Sequence, residues 1–241
     1  MNWKELNYRY SEMRKLASYL ADRYASRQEI RLLFVCTHNS RRSQIARAIA
    51  PFIWRQLAPH PNQSIVMPFG SYSGGSEVTF VHPNTVSALL RAGFRLIENS
   101  SSKSGSIQPP QESVPEKSHP EANQKDASDA QMAETRKSES TSTNSVYRLQ
   151  DPEGQGLELF SKLLDHPENP GKSFAAIMVC SNADEACPNV AGADVRISLP
   201  FEDPGRFDNT AQSDAAYDSA LSQIARDLYS VFSMAQGISN N

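Results

Sequence analysis

Arg31-Leu-Leu-Phe-Val-Cys36-Thr-His-Asn-Ser-Arg-Arg42-Ser43-Gln-Ile-Ala is the stretch that decides the fold. An apolar run with β-branched and aromatic members breaks off at Cys36, and polar residues follow it. Gln44 to Gln56 then sets Ile45, Ala48, Ile49, Phe52 and Ile53 at helical spacing. The reading is a buried strand, a short loop and a helix, with Pro51 expected to kink or end the helix.

A loop at that position meets a helix N-terminus, where unpaired N–H groups and the positive end of the dipole favour an anion. A cysteine in such a setting ionises readily and becomes a nucleophile. Arg42, six residues after Cys36, carries a planar fork suited to two oxygens of a tetrahedral anion. Ser43 is placed to donate to the Cys36 sulfur, and Asn39 suits a left-handed backbone position that folds the loop around the anion. The plainer alternative is a buried strand cysteine followed by a basic loop.

Cys36, Thr37, Asn39, Ser40, Arg42 and Ser43 match the loop Cys-Thr-Gly-Asn-Ser-Cys-Arg-Ser, so the chain resembles the low-molecular-weight tyrosine phosphatase and thioredoxin-coupled arsenate reductase superfamily. His38 replaces the usual glycine, and Arg41 replaces a second cysteine while adding charge beside the anion site. The resemblance implies that Thr37, His38, Asn39, Ser40, Arg41 and Ser43 bind substrate around catalytic Cys36 and Arg42.

The chain has three cysteines. Cys180 and Cys187 lie in Ala175-Ala-Ile-Met-Val-Cys180-Ser-Asn-Ala-Asp-Glu-Ala-Cys187-Pro188, an apolar strand ending in one cysteine with the other seven residues on. This is similar to the redox segment of the arsenate reductases, and the resemblance implies that Cys180 and Cys187 complete a thiol relay. Buried structural thiols are the alternative; neither spacing nor nearby histidines form a zinc ligand set. In Ile197-Ser-Leu-Pro-Phe-Glu-Asp203-Pro204 the superfamily's general acid would be Asp203, with Glu202 the alternative. Gly205-Arg206-Phe207 stands where the phosphatases commonly carry aromatic residues lining a phosphotyrosine slot.

Residues 99–146 contain no aromatic residue, no leucine and one glycine. Such a segment buries too little apolar surface to offset its ordering entropy and is expected to be a disordered insertion. Each doubling of a surface loop adds only about 0.6 kcal/mol, so four doublings add about 2.4 kcal/mol. Asn2 to Arg27 sets Trp3, Leu6, Tyr10, Met13, Leu16, Leu20 and Tyr24 at helical spacing, an amphipathic helix packed on the domain or on a sister subunit. The expected organisation is an N-terminal helix over 1–28, one domain split between 29–98 and 147–236, and the insertion between its parts.

Strands near 31–36, 65–73, 174–180 and 195–199 are expected to alternate with helices near 43–57, 83–92, 155–165 and 214–234. Pro83 and Gly93 mark the ends of the second of these helices, and Tyr217, Leu221, Ile224, Leu228 and Phe232 share one face of the last. The expected fold is α/β, three-layer, with a four-stranded parallel sheet like that of the low-molecular-weight phosphatases, and with ligands at the carboxyl ends of the strands. Ser71-Tyr-Ser-Gly-Gly-Ser76-Glu77 resembles the family's Ser-Ala-Gly segment after the second strand.

The resemblance therefore implies reduction of arsenate by a three-cysteine relay, with no bound cofactor or metal and with thioredoxin or a similar dithiol as electron donor. A phosphatase acting on phosphotyrosine or smaller phosphate esters is the enzymatic alternative; a non-catalytic anion or redox sensor is the third. The N-terminal segment has no signal-peptide pattern, and no run is long and apolar enough to cross a bilayer. Working thiols point to the cytoplasm, and the net charge of −3 argues against nucleic-acid or membrane-surface partners. His38, His82 and Glu77 are further candidates for contact with the site.

Overall fold

The computed structural model describes residues 3–57, 68–97, 143–181 and 190–239. Cys187 and nearly all of the 99–146 insertion lie outside the described residues. The residues before and after that insertion form one compact unit.

Element order is α1 (Trp3–Ala25), β1 (Ile30–Cys36), α2 (Arg42–Leu57), β2 (Phe69–Gly75), α3 (Pro83–Arg91), β3 (Arg95–Leu96), β4 (Tyr147–Gln150), β5 (Gly156–Leu159), β6 (Phe174–Met178), β7 (Ala193–Ser198), a 3-10 turn (Pro204–Phe207) and α4 (Ser213–Ser239). β1 pairs in parallel with β2 on one side and β6 on the other, and β6 pairs in parallel with β7. The main sheet is thus four parallel strands in the order β2-β1-β6-β7. The protein is α/β. β1 and β6 are almost wholly buried, which is why Leu32–Val35 and Phe174–Met178 read as continuous rather than alternating apolar runs. The chain leaves β1 toward β2 on one side and later returns to β6 on the other. The carboxyl end of β1 is therefore a topological switch point, where open α/β sheets leave a crevice.

α2 packs on β1 and β2, while α4 lies against α1, α2 and α3. α4 buries Tyr217, Ile224, Leu228 and Phe232, as its spacing predicts. α1 buries only its second half, through Leu16, Ala17, Leu20 and Ala21. Trp3, 75 % exposed, with Leu6 and Tyr10, carries the same stripe into solvent. Pro51 does not stop α2, which runs on to Leu57. The carbonyl a proline leaves without its helical donor is that of residue 47, and the Ser71 hydroxyl of β2 donates to it at 2.9 Å.

The helix expected at 155–165 is absent: residues 156–159 are strand β5. β3, β4 and β5 form a separate antiparallel sheet, and Arg148 and Glu158 pair across it at 2.7 Å. The turn decides this. Asp151 accepts from the N–H groups of Glu153 and Gln155, and Gly154 takes a φ of +85°, so Asp151-Pro-Glu-Gly closes a hairpin instead of capping a helix. Asn144 bonds both the N–H and the carbonyl of Ser161, so the second part of the unit begins before residue 147. No described helix is long and apolar enough to cross a membrane.

Candidate functional site

The loop from Cys36 to Arg42 lies at the switch point, and its carbonyls are all claimed from outside. Thr37 O accepts from Glu77 N at 3.0 Å. His38 O accepts from Ser161 Oγ at 2.9 Å and Thr79 Oγ1 at 3.1 Å. Asn39 O accepts from Gln44 Nε2, and Ser40 O from His82 N and Thr85 Oγ1. With the carbonyls of Thr37 to Ser40 engaged by other segments, the loop N–H groups are left available to an anion in the hollow. Asn39 holds the bend, with a φ of +46° and no exposed surface. Gly75, in register with Cys36, has no room for a side chain: a Cβ there would stand 2.5 Å from Thr37 O.

Asn39 Nδ2 donates to Ser43 Oγ at 2.9 Å, and Ser43 Oγ lies 3.0 Å from Cys36 Sγ. Because Ser43 accepts from Asn39, its own proton is free for the sulfur, and against a thiolate it is necessarily the donor. Arg42 donates to Phe201 O at 2.9 Å and to Asp203 Oδ2 at 2.6 Å. Asp203 also caps the 3-10 turn by accepting from Gly205 N at 3.0 Å. Cys36, Thr37, His38, Ser40, Arg41, Arg42 and Asp203 line a hollow of about 60 Å³. That is about two water volumes at ~30 Å³ each, the scale of one small oxyanion.

Cys180 is buried just beyond β6, and its Sγ lies 3.7 Å from Thr37 Oγ1. Cys36 is a free thiol, and both sulfurs are buried. His38 pairs with Glu77 at 3.3 Å on the exposed rim. Glu202 instead holds Arg206 at 2.6 Å and does not line the hollow. Among the described residues no group of three histidines, cysteines or carboxylates is placed to hold a metal ion.

Arg41 lines the hollow but is tied behind it. Its Nε donates to Tyr217 Oη at 2.7 Å and its Nη2 to Asp208 at 2.5 Å, while Tyr217 donates to Asp208 at 2.8 Å. Burial works against the charge of Arg41, and Tyr217 and Asp208 more than offset it, so the group stays firmly protonated. Burial works against the charge of Asp208, and Tyr217 and Arg41 more than offset it, so the carboxyl ends below its usual range, while burial and Asp208 raise Tyr217. His82 Nδ1 accepts from Asn84 N at 3.3 Å, and burial with the nearby Arg41 charge lowers its pKa. His82 is thus a neutral helix cap that helps hold the loop. Tyr217→Phe is expected to lose about 1–3 kcal/mol of stability, because a buried donor loses its acceptor. Urea unfolding with an unchanged slope is the check.

Ser161, Lys162, Asp208 and Tyr217 support the site without a local sequence signal. Lys162 donates its N–H to Asn39 Oδ1, and its side chain, 1 % exposed, has a distant ion partner in Glu168 at 3.9 Å. Burial first, then the Arg47 charge, lowers the Lys162 pKa from 10.5 to about 7, with Glu168 opposing. Between those values the unfolded chain binds a proton that the folded chain does not. Stability therefore rises with pH across the window from about 7 to about 10.5, by at most ~1.4 kcal/mol per unit. Below about 7 the burial cost is present in full. Lys162→Met is expected to flatten that slope, measured as the difference between variant and parent in denaturant melts at two pH values. Parallel curves would overturn it.

No protein-family model matches the chain. No curated protein matches it either.

Proposed function

We propose that the protein is an arsenate reductase of the thioredoxin-coupled kind, built on a three-layer domain like that of the low-molecular-weight tyrosine phosphatases. The observation that carries this reading is the placement of Cys180, whose sulfur lies 3.7 Å from the side chain of the residue after Cys36. Met178 is in register with Val35, so Cys180 is offset from Cys36 by one strand and one residue. On ideal sheet spacing that separation is roughly 6 Å between Cα atoms, inside the roughly 4.4–6.8 Å that disulfides span.

In this reading the Cys36 thiolate attacks arsenate held by the loop N–H groups and Arg42. Asp203 protonates the departing oxygen, which leaves as water. The Cys180 thiolate then attacks Cys36 Sγ. A sulfur–sulfur bond forms, the sulfur–arsenic electron pair stays on arsenic, and arsenite departs, two electrons richer. Cys187 exchanges into that disulfide, and a thioredoxin-like dithiol reduces it. Thiols in that role imply a reducing compartment, the cytoplasm.

A second reading, hydrolysis of a phosphate monoester through a cysteinyl-phosphate, is favoured by a neighbouring hollow of about 200 Å³ that shares Asp203 and is lined by Pro204 and Phe207. An ester leaving group fits there. The test is arsenite formation by the reduced protein with a thioredoxin recycling system, run beside Cys180→Ser and an aryl phosphate. Many turnovers in the parent and at most one in Cys180→Ser are expected. Aryl phosphate hydrolysis that survives the substitution, without arsenite, would establish the second reading; neither activity would overturn both.

A further inference from the structure

Five buried side-chain atoms among the described residues have no hydrogen-bond partner: Gln44 Oε1, Arg47 Nη1, Ser73 Oγ, Lys162 Nζ and Asn169 Oδ1. Buried polar atoms are almost always paired, so such a set needs a cause. Two of the five belong to cations. The Arg47 guanidinium lines a cavity of about 640 Å³ between α2, β2 and the β3-β4-β5 sheet, well within the range of small-molecule sites. That cavity shares no residue with the hollow around Cys36.

The other cations of the cavity are served. Arg55 is paired with Asp151 and Glu153, and Arg148 with Glu158. Arg47 faces Glu168, a carboxylate half exposed to water, and Glu158, which is already paired with Arg148, and its Nη1 has no hydrogen bond to either. A buried guanidinium nitrogen left without a partner is costly. Ala48, Pro51, Ile97 and Leu157 give the cavity an apolar wall, and Ser71, Gln155 and Gly156 complete the lining.

We propose that this cavity binds a small organic anion, a carboxylate or phosphate monoester on an apolar body. Its charged group pairs with the Arg47 guanidinium, and its body lies on the Ile97 and Leu157 wall. The ligand differs from the oxyanion at Cys36 in carrying a body, because the cavity at Arg47 is some tenfold larger than the hollow at Cys36.

Fluorine NMR of 4-fluorobenzoate and of 4-fluorophenyl phosphate, titrated against the reduced full-length protein, tests this. Arg42→Ala serves as the background that removes phosphate binding at the loop. Saturable binding of at least one probe is expected in the Arg42→Ala background, weakened at least tenfold there by Arg47→Met; the probe that binds names the anionic group. Should Arg47→Met fail to fold by circular dichroism, Ile97→Glu sets a carboxylate on the partly exposed wall and is expected to weaken binding similarly. No saturable binding, or equal affinity in folded Arg47→Met or Ile97→Glu, would overturn the proposal. 4-Fluorophenyl phosphate is compared only in the Arg42→Ala background, where the loop at Cys36 no longer holds it, and 4-fluorobenzoate offers Cys36 no phosphoryl group to turn over.

Discussion

Arg42→Ala is expected to lower kcat/KM for the oxyanion substrate by about 10³-fold, the cost of removing a strong preorganised donor from developing negative charge. The guanidinium is only 15 % exposed, and two of its nitrogens are already aimed, one at Phe201 O and one at Asp203. An incoming dianion meets a cation whose orientation has been fixed before it arrives. On the proposed reading that dianion would compete with the Asp203 carboxylate for Nη2 and free the carboxyl to serve as the acid. Stability should change by less than about 1 kcal/mol, because the Asp203 side chain is 46 % exposed and an ion pair with one solvated partner contributes little. The informative result is the split: a large kinetic loss in a protein that melts like its parent. Arg42→Lys keeps the charge and loses the fork, and should recover less than a tenth of the lost rate. Full recovery by lysine would mean that charge alone matters and would sink the two-oxygen clamp.

What was legible in the sequence is what neighbouring residues decide among themselves. Leu32–Val35 is apolar without alternation because β1 is covered on both faces, and the loop motif is compressed into eight residues that end on a helix start. The positive φ of Asn39 and the helix start at Pro83 follow from local chemistry as well. The misread segment at 155–165 carries Leu157, Phe160, Leu163 and Leu164 at a spacing that suits a helix. The deciding information lies upstream, in the Asp151 turn and in the pairing of β5 with β4. That α2 does not end at Pro51 has a related reason: the hydroxyl that takes over the freed carbonyl stands on another strand, 24 residues away. Ser161 and Lys162 reach the loop across 123 positions, and Asp208 reaches Arg41 across 167. No periodicity or motif encodes contacts of that kind. They exist only once the sheet has brought its carboxyl ends together.

That long-range support makes Asn39→Ala the most damaging single change expected in the loop, at about 3–5 kcal/mol of stability together with loss of anion binding. Asn39 Oδ1 accepts from Lys162 N at 3.0 Å and Gln44 Nε2 at 2.9 Å, and its Nδ2 supplies Ser43. Truncation leaves the buried Lys162 N–H without an acceptor and the buried Ser43 hydroxyl without a donor, each costing roughly 1–3 kcal/mol, while Gln44 Nε2 keeps Asn39 O and Phe160 O. The left-handed backbone adds about 1–2 kcal/mol for alanine. Asn39→Gly separates the two contributions, since glycine takes a φ of +46° without strain and still loses every side-chain bond. Glycine should therefore be the more stable variant by about 1 kcal/mol, and both should be far below the parent in denaturant midpoint. The chemical consequence runs through Ser43, whose hydroxyl, no longer fixed by Asn39, ceases to present its proton to Cys36 Sγ. Loss of anion binding is read as arsenate or phosphate no longer raising the melting temperature of Asn39→Gly as it raises that of the parent. An equal rise in both would show that the Asn39–Ser43 chain holds the loop without shaping its anion site.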